Sequence, residues 1–129
     1  MAKYAFGKKV NMGFEQAVAA VTQALAKEGF GVLTEIDVAA TLKKKLGIER
    51  PPYKILGACN PQLAARAIEA EPQIGALLPC NVVVREQAGK TVVEFMDPAA
   101  VLTLVQRPEI GAIATEVRAR LERVMADLG

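Results

Sequence analysis

The chain contains no histidine, no serine and no tryptophan, and its 129 residues include only two cysteines. Each absence removes a class of chemistry. Without imidazole, acid–base work near neutral pH falls to a perturbed thiol, carboxylate, lysine or phenol. Without serine or histidine, neither a serine nucleophile nor a Cys–His pair can be assembled. Zinc sites draw on about four thiol, imidazole or carboxylate ligands. Two thiols and no imidazole are a poor supply, so no metal and no cofactor is expected. A metal site would have to recruit carboxylates such as Asp97, or thiols from two subunits. Aromatic residues make up 5% of the chain, too few for a broad platform on which bases or sugars stack. No apolar run nears the ~20 residues that span a bilayer. The opening Met1-Ala2-Lys3-Tyr4 lacks the apolar core of a secretory signal, so the expected location is the cytoplasm, with both thiols reduced.

What is abundant is aliphatic. Hydrophobic residues make up 52% of the chain, and sixteen basic residues nearly balance fourteen acidic ones for a net charge of +2. A length of 129 residues suits one domain with a core of valine, leucine, isoleucine and alanine, needing no disulfide. The charge balance favours neither nucleic acid nor an acidic membrane surface as partner. The one dense basic run, Lys43-Lys44-Lys45, reads as a solvated helix face.

Along the chain, Tyr4 to Val10 reads as a first strand, with Tyr4, Phe6 and Lys8 on one side. Asn11 can cap a helix that carries Phe14, Ala17, Val18, Val21 and Leu25 on one stripe and ends at Gly29 and Gly31. Phe30 to Ile36 reads as a strand with Val32, Thr34 and Ile36 on one face. Asp37 caps a short helix over Val38 to Leu46 that stops at Gly47. After Pro51-Pro52, Tyr53 to Ala58 forms a third strand. Asn60 followed by Pro61 is a strong helix start, turning Leu63, Ala64, Ala67 and Ile68 inward and ending before Pro72. Ile74 to Pro79 carries no decisive signal. Asn81 to Glu86 and Thr91 to Met96 form a hairpin around Gln87-Ala88-Gly89-Lys90. Asp97-Pro98 starts a short helix through about Leu104. Pro108 opens a final helix with Ile110, Ile113, Val117, Leu121, Val124 and Leu128 on one face. The hairpin and the short second helix favour an α+β domain over a doubly wound sheet, with one mostly antiparallel sheet and helices packed on one face.

The repeated Cys-Asn dipeptide is the most pointed chemical feature. Cys59-Asn60 precedes a helix and Cys80-Asn81 begins a strand. A thiol at a helix start feels the positive end of the dipole, which favours thiolate. The other reading is a small buried apolar residue, the usual fate of an unpaired cysteine. Cys80, leading a valine-rich strand, has the weaker case for reactivity. Gly29-Phe30-Gly31 runs into a strand rather than from a strand into a helix, so it is a helix stop and not a phosphate loop. Capping accounts for Asn60 and Asp97, and a turn for Asn81. If these element starts meet at one end of the sheet, Asn60, Asn81 and Asp97 would form a polar rim beside an apolar pocket.

Gly57-Ala58-Cys59-Asn60-Pro61, Glu69-Ala70-Glu71-Pro72, Leu77-Leu78-Pro79-Cys80-Asn81-Val82-Val83-Val84 and Met96-Asp97-Pro98 together resemble a prokaryotic domain-of-unknown-function family, number 302. The similarity covers nearly the whole chain. It implies a compact α+β domain with an antiparallel sheet, acting as a homodimer, and it carries no established activity. The positions that match its motif are Cys59, Asn60, Pro61, Pro79, Cys80, Asn81, Asp97 and Pro98. The expected function is therefore a small-ligand-binding or interaction module. The alternative is a thiol-dependent redox or transfer protein that uses Cys59 with Cys80.

Overall fold

In the computed structural model, which describes residues 2–129, strands and helices alternate up to a hairpin, after which two helices follow. Their order is β1 (Ala5–Val10), α1 (Phe14–Lys27), β2 (Gly31–Asp37), α2 (Val38–Leu46), β3 (Tyr53–Cys59), α3 (Pro61–Ala70), β4 (Cys80–Gln87), β5 (Lys90–Met96), α4 (Pro98–Val101) and α5 (Pro108–Ala126). Single 3-10 segments, Pro72–Leu77 and Leu102–Leu104, precede β4 and follow α4.

Three helices start on one device. Asp37, Asn60 and Asp97 each accept a hydrogen bond from a backbone N–H two or three residues on: Ala40 at 2.9 Å, Leu63 at 3.2 Å and Ala99 at 2.9 Å. Each bond satisfies an amide that the first helical turn leaves unpaired. Proline at the first position of α3 and α4 supplies the helical φ and lacks the N–H that would be orphaned there. The helix over Val38–Leu46 closes, as the sequence predicts, on Gly47 in the left-handed region (φ 69°).

All strand pairs are antiparallel, in the order β1-β5-β4-β3-β2. This order makes β1 and β2 parallel at opposite edges, so α1 must cross the whole sheet to join them. It does so on a stripe of Ala17, Val18, Val21, Ala24 and Leu25, all buried. The same side of the sheet presents Leu56, Val82, Val84, Val93 and Phe95, each fully removed from water. Burial of each such side chain contributes about 1.5–3 kcal/mol. The predicted stripe of α5, Ile110 to Val124, and Leu128 just beyond it complete this core. The opposite face carries Asn81, Arg85 and Glu94, with Arg85 Nε donating to Glu94 Oε1 at 2.7 Å. The result is the α+β architecture expected from the sequence.

The structure departs from the sequence reading at several local points. Asn11 does not cap α1: Asn11 and Met12 form the bend out of β1, and Gly13 is the cap residue, with its carbonyl accepting from Ala17 N–H at 2.9 Å. Gly29 alone ends α1, at φ 85°, with Phe30 N–H returning to the Leu25 carbonyl, while Gly31 already belongs to β2. Val32, Thr34 and Ile36 do not share a face. A bulge between Val32 and Thr34 shifts the register, so Val32 sits opposite inward Ala58 whereas Thr34 and Ile36 sit opposite outward Gly57 and Ile55. β3 runs one residue further than expected, to Cys59. The hairpin turn is only Ala88-Gly89, both at positive φ (52° and 77°), the two-residue geometry that matches strand twist.

Candidate functional site

The paired strand ends gather the motif. β3 finishes, β4 begins and β5 finishes at the same end of the sheet, because Ala58 pairs with Cys80, Gly57 with Asn81 and Val82 with Phe95. Cys59, Asn60, Cys80, Asn81 and Asp97 therefore do converge on one end. Alternation along the strands then sends them to different faces and into different duties.

A cavity of about 250 Å³ opens at this end, between the β2–β4 strand ends, α3 and α5. Its walls are aliphatic: Ala58 and Cys80 from the sheet, Leu63 and Ala67 from α3, and Ile113 and Val117 from α5. Two residues mark the mouth. Leu33, 67% exposed, is the extra residue of the β2 bulge, and Ile68, 47% exposed, lines the cavity from α3. The bulge thus explains an otherwise misplaced leucine: an inserted residue re-aims a side chain next to a site. On α3, Leu63 and Ala67 are buried as the spacing predicts, whereas Ala64 is half-buried and Ile68, expected inward, is exposed; all four line the cavity.

Asn60 is the one polar side chain in the lining, and it is 8% exposed with both ends of its amide engaged. Its Oδ1 accepts from Leu63 N–H, and its Nδ2 donates to the Glu28 carbonyl at 3.4 Å. Arg120 Nη1 donates to that same carbonyl at 2.9 Å, so the C-terminus of α1 is tied to the start of α3 and to α5. The backbone at Gly29 comes so close that a Cβ there would lie 2.9 Å from Asn60 Nδ2. Asn60 is a structural rivet at the edge of the cavity.

Asn81 and Asp97 do not join it there. Asn81 is exposed and, opposite Gly57, belongs to the uncovered face of the sheet. Asp97 caps α4 with Oδ1 and pairs through Oδ2 with Arg118, whose guanidinium lies 3.9 Å over the Phe6 ring. That arrangement latches α5 onto β1 and leaves the carboxylate committed. The expected polar rim of three residues reduces to Asn60.

Both thiols are free, and both border the cavity. Cys80 is buried, and loss of hydration pushes its thiol up to about 11, with the nearby Cys59 adding to the effect. It is a neutral, soft wall element. Cys59 is half-buried. In the ladder Cys80 opposes Ala58 and not Cys59, a one-residue offset that turns successive side chains to opposite faces of the strand. Among the described residues no three cysteine, aspartate or glutamate side chains are grouped as metal ligands. No described helix is long and apolar enough to cross a membrane.

One contact was not legible in the sequence. Pro79 folds over the outward side of Gly57, where an added Cβ would meet Thr34 Oγ1 at 2.3 Å and Pro79 Cγ at 2.9 Å. Gly57 therefore lets β2 and the segment entering β4 close together at the end of the sheet that holds the cavity. The glycine inside a strand pattern was the available signal.

An α+β domain that closes an antiparallel sheet on one side with helices and keeps an aliphatic cavity at the strand ends is thus the class of protein defined by the structure. Residues 6–128 match the family described as Domain of unknown function DUF302, and the chain belongs to that family. It is similar to a crystal structure of an uncharacterized conserved DUF302 protein from Bacillus stearothermophilus, with 29% sequence identity and a TM-score of 0.92 over 99% of this chain and 100% of that one. A search of curated proteins finds no significant match.

Proposed function

We propose that this domain binds a small apolar molecule in the cavity at the strand ends. The observation that carries the reading is the cavity itself, about 250 Å³ with almost wholly apolar walls. Core voids are costly. Apolar wall atoms that face a space and not other atoms give up packing contacts. Small side chains, Ala58, Ala64 and Ala67, border the space and leave it open to a ligand. A dry cavity of about 150 Å³ already admits benzene, so this one has room for something larger than a single ring.

The test is a thermal unfolding series of the intact protein with toluene and indole. A concentration-dependent rise in Tm supports the reading, because a ligand that binds only the folded state stabilises it by mass action. A flat response to both at saturation in water refutes it.

Two further expectations from the sequence have less support. A thiol reaction between Cys59 and Cys80 is opposed by the ladder offset and by the neutral state of Cys80. A homodimer is favoured by β2 and α2, where Ile36, Leu46 and Ile48 are exposed and α2 buries none of its residues. We place the dimer face there. Sedimentation equilibrium of the wild type and of Leu46→Lys tests it: a dimer that the lysine dissociates supports the assignment, and a monomeric wild type removes it.

A further inference from the structure

We infer that the cavity selects uncharged hydrocarbon ligands and rejects their carboxylate counterparts, a specificity that rests on the binding role proposed above and narrows it to one chemical class. The inference follows from what the walls can offer. No lysine, arginine, aspartate or glutamate side chain borders the cavity. The one amide there, Asn60, spends its oxygen on the Leu63 N–H and an N–H on the Glu28 carbonyl. That carbonyl also receives Arg120, so the nearest guanidinium is already engaged. The remaining side-chain hetero-atoms are the sulfurs of Cys59 and Cys80, which are weak hydrogen-bond partners and polarisable apolar surface.

A ligand entering this space finds at most one free strong side-chain donor, the second N–H of Asn60, and must leave its other strong hydrogen bonds in water. A hydrocarbon chain or ring loses nothing by that. A carboxylate loses its hydration with no cation to replace it and at most the second N–H of the Asn60 amide to receive it, and burial of an unpaired charge is among the most expensive steps available to a protein. The mouth repeats the pattern, because Leu33 and Ile68 are exposed aliphatic side chains. A polar headgroup projecting outward would meet leucine and isoleucine before it reached solvent.

The experiment uses matched pairs of similar size on the intact protein at pH 8: toluene with benzoate, and 1-octanol with octanoate, each read by isothermal titration and by the shift in Tm. The neutral member of each pair is expected to bind at least about tenfold tighter, the minimum that separates a desolvated charge from a neutral isostere. Equal or tighter binding of benzoate and octanoate overturns the inference and leaves the binding role standing. Failure of all four compounds overturns the binding role and the inference with it. Ala67→Leu, which places extra carbon in the cavity, supplies the location: binding that persists unchanged in this variant, if it is folded by circular dichroism, lies elsewhere and also overturns the inference.

Discussion

Filling the cavity from within separates a functional void from ordinary core. Ala67 is 3% exposed and lines the cavity from α3, so Ala67→Leu adds three carbon atoms to the space without exposing them. At about 0.8 kcal/mol per buried methylene the gain is up to about 2.4 kcal/mol. Ordering the leucine side chain returns about 0.5–1 kcal/mol, and the helix propensity of leucine is close to that of alanine. The net expectation is stabilisation of about 1.5 kcal/mol, or roughly 6 °C in Tm for a domain of this length. Urea unfolding monitored by circular dichroism measures it, with an unchanged slope showing that the same surface is exposed. The opposite sign refutes the reasoning: a site without real space would be overpacked and lose about 1–3 kcal/mol. The same variant should lose its response to toluene, so stability and binding move in opposite directions. That inverse relation is the mark of a site held open at the expense of the fold.

Three other outcomes follow from particular residues. Asn60→Ala removes both the cap of α3 and the link to Glu28, and should cost about 1–2 kcal/mol; Asn60→Asp, which retains the cap oxygen and loses the donor, should cost less, and equal losses in urea midpoints would show that only the donor matters. Cys80 has a folded-state pKa raised from 9.0 to about 11, so its neutral form is favoured by the fold: stability is unaffected below pH 9 and falls through the window from pH 9 to 11, by up to about 2–3 kcal/mol. Cys80→Val should flatten that fall in a pH series of urea midpoints, and an equally steep fall in the variant would assign it to other groups. Ala88 occupies the left-handed region at φ 52° in the hairpin turn, so Ala88→Asn should stabilise by about 1 kcal/mol, with no change in midpoint counting against the turn geometry.

The sequence determined whatever depends on near neighbours. Asp37, Asn60 and Asp97 announce helix starts because a short polar side chain reaches an amide only two or three residues away. Gly47, the prolines at 61, 98 and 108, and the valine-rich hairpin mark their elements on the same local physics. The stripe of α5 needs only helical spacing to be read. Hence the α+β class and most element positions were legible, whereas the meeting of the Cys-Asn motifs at one end of the sheet was left open until the strand pairing fixed it.

Only the tertiary structure decided what each motif residue faces there. Asn60 turns to the Glu28 carbonyl, 32 residues away in sequence, whereas Asn81 takes the uncovered face and Asp97 goes to Arg118. The β2 bulge that carries Leu33 to the mouth depends on pairing with β3 and has no local signature in Val32-Leu33-Thr34. The cavity is assembled from residues as distant as Phe30 and Val117, and its emptiness is a property of how α3 and α5 are spaced over the strand ends. Propensity and periodicity say which side of an element is apolar. Whether two apolar sides meet or leave a space between them is settled by long-range packing, and the candidate site of this protein is such a space.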